Sequence, residues 1–312
     1  LRDLGWDGDR TYPLPETFFD DFIGRGPAER YADMSIATAI NLERDTKFVA
    51  PARLTPEQRV AWDAYYAPRN ADFISKHLTG DALARWKYQR FLHDYLGCIK
   101  GIDDNVGRIL DYLDETGLAE NTIVVYASDQ GFFLGEHGWF DKRWIFQESA
   151  RTPLLVRWPT IVTPGSSTDR IVSNLDIAET FLEAAGVSIP ARMQGRSLVP
   201  LLRGETPADW RQSFYFHYYE FPAWCRVAPH YGIITDRYTM AHVQTPVGRP
   251  PAMDYWELFD RERDPRELTS VYDQPAYREI QQQLHEELAR LRAHYLEPGQ
   301  DNPAAFGAPS NY

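Results

Sequence analysis

Between Asp81 and Ala127 the sequence permits few folds. Trp86, Phe91, Tyr95, Ile99, Ile102, Val106, Ile109 and Leu113 recur at steps of three to five residues, one apolar stripe along a helix expected from Asp81 to Thr116. Gly117 is its stop, because helices often end on a left-handed glycine, and Leu118–Asn121 turn the chain. Thr122–Ala127 then reads TIVVYA, a β-branched run without polar interruption that suits a strand covered on both faces. A long helix delivered into a buried strand predicts the α/β class over all-α or all-β.

Other segments extend this reading. Leu154–Trp158 repeats the strand signal, and a helix is expected from Asp176 to Ala185 with Gly186 as its stop. Residues 1–30 read as loop, and residues 31–76 as short helices broken by Pro51, Pro56 and Pro68. Past a boundary near Pro200–Trp210 the texture changes. Phe214–Tyr219, Tyr231–Thr235, Tyr238–Val243 and Trp256–Phe259 are strand-like and separated by turns, which predicts a small antiparallel sheet. A last amphipathic helix carries Ile280, Leu284, Leu288, Leu291 and Tyr295 on one face and is expected to pack on that sheet. The tail beyond Pro298 reads as loose. The expected division is residues 1–205 and 206–312.

The chain has 312 residues, 43% of them hydrophobic, enough for a full core. Its net charge of -12 argues against nucleic acid as a partner, while one local cluster of cations can still hold an anionic group. The two cysteines, Cys98 and Cys225, fit neither a disulfide framework nor zinc spacing. No apolar run approaches the ~18 residues of a membrane span. No signal peptide is visible, and the chain starts at Leu1 rather than Met.

Chemistry concentrates behind the strand TIVVYA. Ser128-Asp129-Gln130-Gly131 follows it directly, then Gly135-Glu136-His137-Gly138, then Asp141-Lys142-Arg143. In open α/β sheets, ligands collect beyond the carboxyl ends of strands. A carboxylate and an amide oxygen, Asp129 and Gln130, suit a hard cation such as Ca²⁺ or Mg²⁺. Lys142 and Arg143 suit a tetrahedral oxyanion. His137 could give a proton or bind substrate. Each residue has a plainer reading: Asp129 as a turn cap, Lys142 and Arg143 as a solvated pair, His137 as a loop histidine.

Taken together with Glu148 and Arg151-Thr152-Pro153-Leu154, these motifs resemble the sulfatase family of the alkaline-phosphatase superfamily, especially its carbohydrate sulfatases of the N-acetylglucosamine-6-sulfatase and iduronate-2-sulfatase kind. The resemblance extends over nearly the whole chain, through Tyr12–Phe18, Met193–Leu198, Trp256–Asp260, Asp264-Pro265 and Glu267-Leu268. It implies an alkaline-phosphatase-like α/β sheet with flanking helices, its first strands missing, plus a small C-terminal antiparallel sheet with a packed helix. It also implies hydrolysis of sulfuric esters of sulfated carbohydrates in a periplasmic or secreted setting. Asp129 and Gln130 would be two ligands of Ca²⁺, Lys142 and Arg143 would bind the sulfate, and His137 would lie near the sulfate or leaving group. His230, in His230-Tyr231-Gly232, would border the sugar. In Gly232–Thr239, relatives often carry Arg where Ile234 stands and Lys where Thr239 stands.

The resemblance also implies a formylglycine nucleophile made within C/S-x-P-x-R. Neither Cys98-Ile-Lys-Gly-Ile nor Cys225-Arg-Val-Ala-Pro fits. Ser188-Ile189-Pro190-Ala191-Arg192 does, but it follows the Asp-Gln-Gly strand instead of preceding it, and reads as chance. Two further acidic metal ligands are also absent, and Asp20-Asp21 sits in the wrong surroundings. The expectation is a C-terminal portion of a sulfatase, inactive alone. A phosphodiesterase or phosphonate hydrolase of the same superfamily, and a non-catalytic sulfated-glycan-binding protein, stay open as alternatives.

Overall fold

Thr55 and Gln58 open the first long helix by bonding reciprocally, side chain to backbone, a capping box that satisfies two otherwise unpaired donors. In the computed structural model, which describes residues 10–221, 223, 225–246 and 251–295, the helices are α1 (Pro27–Tyr31), α2 (Pro56–Lys76), α3 (Gly80–Glu115), α4 (Gln147–Ala150), α5 (Leu175–Ala184), α6 (Val199–Leu202) and α7 (Arg278–His294). The strands are β1 (Val124–Ala127), β2 (Phe133–Leu134), β3 (Phe140–Asp141), β4 (Leu154–Arg157), β5 (Ser213–Tyr218), β6 (His230–Thr235), β7 (Tyr238–Gln244) and β8 (Asp254–Asp260). This is the mixed α/β architecture expected, with a four-stranded antiparallel sheet ordered β5-β6-β7-β8. The tail beyond Pro298 lies outside the described residues.

The chain forms two compact units. The first gathers the described residues of Leu1–Asp20, Asp33–Thr116 and Phe132–Asp141, the second those of Asp21–Ala32, Gly117–Gly131 and Lys142–Tyr312.

In the first unit, Pro68 does not break the chain as expected but lies inside the 21-residue α2. Side-chain bonds to α3 flank the proline. Tyr66 Oη donates to Asp94 (2.8 Å) and Arg90 Nη2 donates to Asn70 (2.6 Å), so α3 holds α2 on both sides of the proline. The Arg69 guanidinium donates to the Tyr65 carbonyl beside it. The buried face of α3 also differs from the stripe read from sequence. Ala84, Tyr88 and Leu92 pack with Phe18, Ile36 and Ile40, and Lys87 donates to the carbonyls of Ala37 and Ile40. Ile99, Ile102 and Ile109 are exposed. Gly117 ends the helix at φ 71°, the left-handed stop expected.

In the second unit, β1 pairs antiparallel with β4, Val124 opposite Arg157 and Ala127 opposite Leu154. Strands of period two offer opposite faces. Val125, Leu154 and Val156 pack toward α5 and α6 around Ile177 and Leu198. Tyr126 and Leu155 turn the other way and are exposed, so β1 is covered on one face where its composition predicted two. In the four-stranded sheet, Ile233, Met240 and Leu258 face Leu284, Leu288 and Leu291 of α7, the helix-on-sheet packing anticipated.

The opposite face of β8 receives the segment 21–32. Gly26 N–H donates to Glu257 (2.6 Å), Ala28 N–H to Tyr255 Oη (3.1 Å) and Ser270 N–H to the Gly24 carbonyl (2.8 Å). Glu29 and Glu257 meet there, almost fully buried. Burial raises the pKa of both, and the charge of Glu257 lifts Glu29 further.

Met193–Leu198 is tied down by three acceptors on one face of α5. Glu179 accepts from Gly195 N–H, Asp176 from Arg196 N–H and Thr180 Oγ1 from Leu198 N–H, each at 2.8 Å. Asp176 is fully buried and accepts from both terminal guanidinium nitrogens of Arg211. Removing one partner of such a pair strands the other. Asp176→Ala is therefore expected to destabilise the protein by about 3–5 kcal/mol in urea unfolding; a loss under about 1 kcal/mol, the range of exposed ion pairs, would show that the pair is not structural.

Candidate active site

The loop after β1 is shaped by what lies behind it. Ser128 Oγ donates to the Gln130 carbonyl (2.8 Å), and Gly131 N–H donates to the Ser149 carbonyl (2.8 Å). A Cβ on Gly131 would fall 2.2 Å from the Glu148 carbonyl oxygen and 2.6 Å from that of Arg151. Only glycine allows this approach, which gives the third residue of Asp-Gln-Gly its physical role.

Asp129 is exposed and Gln130 half-buried. The hydrogen-bonding partners set the Gln130 amide: its nitrogen donates to Asp129 Oδ2 at 3.2 Å, and its oxygen accepts from Lys142 Nζ at 3.1 Å. Carboxylate, amide and ammonium thus stand in one row. Lys142 is flanked by two left-handed residues, Asp141 at φ 77° and Arg143 at φ 98°, conformations that cost about 1–3 kcal/mol and persist only where the surroundings enforce them. Arg143 N–H donates to Ser149 Oγ (2.9 Å). The Arg143 guanidinium carries its charge toward Tyr218, whose phenol burial and Glu220 push upward.

His230 is buried. Its ring stacks on Trp144 (4.8 Å between centroids) and on Phe216 (5.5 Å), and Nδ1 donates to the Ala228 carbonyl (2.8 Å). Ile234 and Thr239 face each other across β6 and β7, both buried.

His137 belongs to the first unit, in the turn between β2 and β3. Its backbone is left-handed at φ 54°. Its N–H donates to Thr17 Oγ1 (2.9 Å), and Nδ1 meets Asp20 Oδ2 at 2.7 Å. A carboxylate on Nδ1 fixes the orientation of an imidazole. The ring is enclosed by Phe133 and Trp139, and Gly138 is required because a Cβ there would lie 2.7 Å from the Phe18 carbonyl oxygen.

The structure thus brings Asp129, Gln130 and Lys142 together, with Arg143 next in sequence and His230 stacked on the residue after that. Asp20, Thr17 and Ser149 escaped the sequence reading. Thr17 and Asp20 lie in an aromatic-acidic patch without periodicity, and a hydroxyl three residues before an acid in a loop carries no signal. For a metal ion, Asp129 offers a carboxylate, and the Gln130 amide oxygen, which here accepts from Lys142, would turn toward Asp129 to join it, both being the hard donors that Ca²⁺ takes. They fit as part of a coordination shell; among the described residues no three His, Cys, Asp or Glu side chains gather into a metal-holding group.

Comparison with known proteins defines the class. Residues 61–187 match the family described as Sulfatase, and residues 135–294 match N-sulphoglucosamine sulphohydrolase, C-terminal. The chain belongs to the sulfatase family of the alkaline-phosphatase superfamily. It is similar to the N-acetylglucosamine-6-O-sulfatase of Bacteroides thetaiotaomicron, 40% identical over 317 residues that cover 96% of this chain and 56% of that protein. The human N-acetylglucosamine-6-sulfatase is 30% identical over 190 residues, 54% of this chain and 33% of its own length. A solved structure of a protein in complex with its substrate D-glucosamine-2-N,6-O-disulfate superposes with a TM-score of 0.90 at 40% identity, covering 96% of this chain and 63% of that one. The chain spans about half the length, or less, of these curated relatives.

The His230 environment has a measurable consequence. Burial holds its pKa down at about 4, against about 6.5 in an unfolded chain. Between those values the unfolded chain binds more protons than the folded one, so stability falls as the pH drops from about 6.5 toward 4. The loss over that window is about 3 kcal/mol. His230→Phe is expected to remove this part of the acid sensitivity in urea unfolding at pH 7 and pH 4.5; an unchanged pH dependence would refute it.

Proposed function

We propose that this chain carries the metal- and anion-binding part of a sulfatase site that hydrolyses the sulfate ester of a sulfated carbohydrate, with 6-sulfated glucosamine as the favoured class. The row Asp129–Gln130–Lys142 is the observation that carries the reading. The 40% identity to a protein named N-acetylglucosamine-6-O-sulfatase supports the choice of sugar.

In this reading Lys142 lies against the sulfuryl oxygens and stabilises the charge that builds on them as the ester S–O bond breaks. Arg143 adds a second cation at the same end of the ester. Asp129 and Gln130 would hold Ca²⁺, with Mg²⁺ as the other candidate, and the bound ion would supply Lewis-acid chemistry at the sulfuryl oxygens. His137, held at Nδ1 by Asp20, belongs to the first unit and has no part in this row. His230, buried against Trp144 and Phe216 and neutral at pH 7, borders the sugar in this reading.

The nucleophile in this proposal is a formylglycine, and the 312 residues do not supply it. Cys98 and Cys225 lack the motif. Ser188, which has it, lies exposed in the loop after α5.

Calorimetry on the 312-residue chain is expected to show Ca²⁺ binding weakened about tenfold or more by Asp129→Ala, the loss typical of disturbing a metal's ligand environment. Sulfate binding should weaken on Lys142→Ala. Ca²⁺ affinity unchanged by Asp129→Ala would sink the ligand assignment, and a preference for phosphate over sulfate would favour a phosphoester hydrolase. The same chain is expected to show no turnover of an aryl sulfate with or without Ca²⁺, and metal-dependent turnover would overturn that.

A further inference from the structure

The loop that carries Asp129 and Gln130, bonded within itself from Ser128 to the Gln130 carbonyl, and the turn that carries Lys142 are both also held from outside. Both converge on one residue of α4. The Ser149 carbonyl accepts from Gly131 N–H (2.8 Å), one residue after Gln130. The Ser149 hydroxyl accepts from Arg143 N–H (2.9 Å), one residue after Lys142. Ser149 is buried, 5% exposed, and its own N–H donates to the Phe146 carbonyl (3.0 Å). All of these groups belong to the second unit.

We propose that Ser149 is a positioning residue for this site: one side chain and its carbonyl set the spacing between the Asp129–Gln130 loop and Lys142. The proposal rests on the reading of Lys142 as the cation that grips the sulfate. Three observations carry it. Ser149 accepts in both bonds, through its backbone carbonyl from one segment and through its side chain from the other, so a shift of α4 moves both. Arg143 is held left-handed at φ 98°, a conformation that a chain leaves readily unless bonded. Gly131 has no room to slide, with carbonyl oxygens of Glu148 and Arg151 within 2.6 Å of where a Cβ would stand.

Support continues behind α4. Glu267, buried at 1% exposure, accepts from Gln147 N–H through Oε2 (3.0 Å) and caps the short helix on which Ser149 sits. On the Lys142 side, Trp144 is pinned by its stack with His230. Ser149 touches no substrate in this scheme; it acts through Lys142 and Gln130.

The test uses the 312-residue chain, inorganic sulfate as probe, and amide hydrogen exchange by NMR. Ser149→Ala removes the hydroxyl. Ser149→Cys is nearly the same size and keeps only a weak acceptor, which covers the case in which the alanine variant does not fold. Ser149→Thr keeps the hydroxyl. Alanine and cysteine are expected to lower protection of the Arg143 amide and to weaken sulfate binding about tenfold or more, as loss of an outer-shell partner does. The Gly131 amide, bonded to the carbonyl, should stay protected in every variant, and threonine should restore both readouts. Wild-type protection at Arg143 in the alanine and cysteine variants would overturn the clasp. Lost protection with sulfate affinity within about twofold of wild type would overturn the positioning role, since outer-shell losses are larger. Lys142→Ala separates the underlying reading: if it leaves sulfate affinity unchanged, Lys142 is not the anion cation and the proposal falls with it. If Lys142→Ala weakens sulfate and Ser149→Ala does not, Ser149 alone is excluded.

Discussion

The missing side chain of Gly131 is the constraint on which the second unit's site turns. Because the backbone there lies directly against the carbonyl ends of Glu148 and Arg151, the β1 loop has one seat. α4 is four residues long, far below the length at which a helix persists alone. Its place must come from tertiary contacts, and the most specific is the cap that Glu267 places on Gln147. A site that reads as a local run of residues 122–157 therefore takes its geometry from a buried acid more than a hundred positions further along the chain.

Two histidines show how the same atom can be fixed to different ends. His137 and His230 are both buried and both held at Nδ1, the first by the Asp20 carboxylate and the second by the Ala228 carbonyl. A lone carbonyl in an apolar aromatic stack cannot compensate for the desolvation of His230. His230 accordingly titrates near 4. The two rings are not interchangeable.

Elements governed by local rules were legible in the sequence. The bounds of α3 and α5 were expected within a residue, because periodic apolar residues and the glycines at 117 and 186 act over a few positions. The alternating strands β5 to β8 and the helix packed on them followed from the same logic. The unbroken α2 was not legible, since the bonds that carry it past Pro68 come from Arg90 and Asp94 of α3. Nor was the exposure of Ile99, Ile102 and Ile109: periodicity shows that a helix has an apolar stripe, not which part of it is covered. Asp129, Gln130 and Lys142 stood out through their grouped chemistry and the family resemblance. Asp20 and Ser149 act through single bonds to distant segments, and composition leaves no trace of those.

The segment 21–32 has a further consequence, for the order of folding. Its partners Tyr255 and Glu257 lie more than two hundred residues downstream, the Gly26–Glu257 bond spanning 231 positions. Such contacts close only after a large entropic cost of loop closure and slow the search for the native state. On a ribosome this early segment is made long before the strand that receives it. Until β8 emerges, Glu29 has no strand to bury it, and its burial waits on that late-made partner.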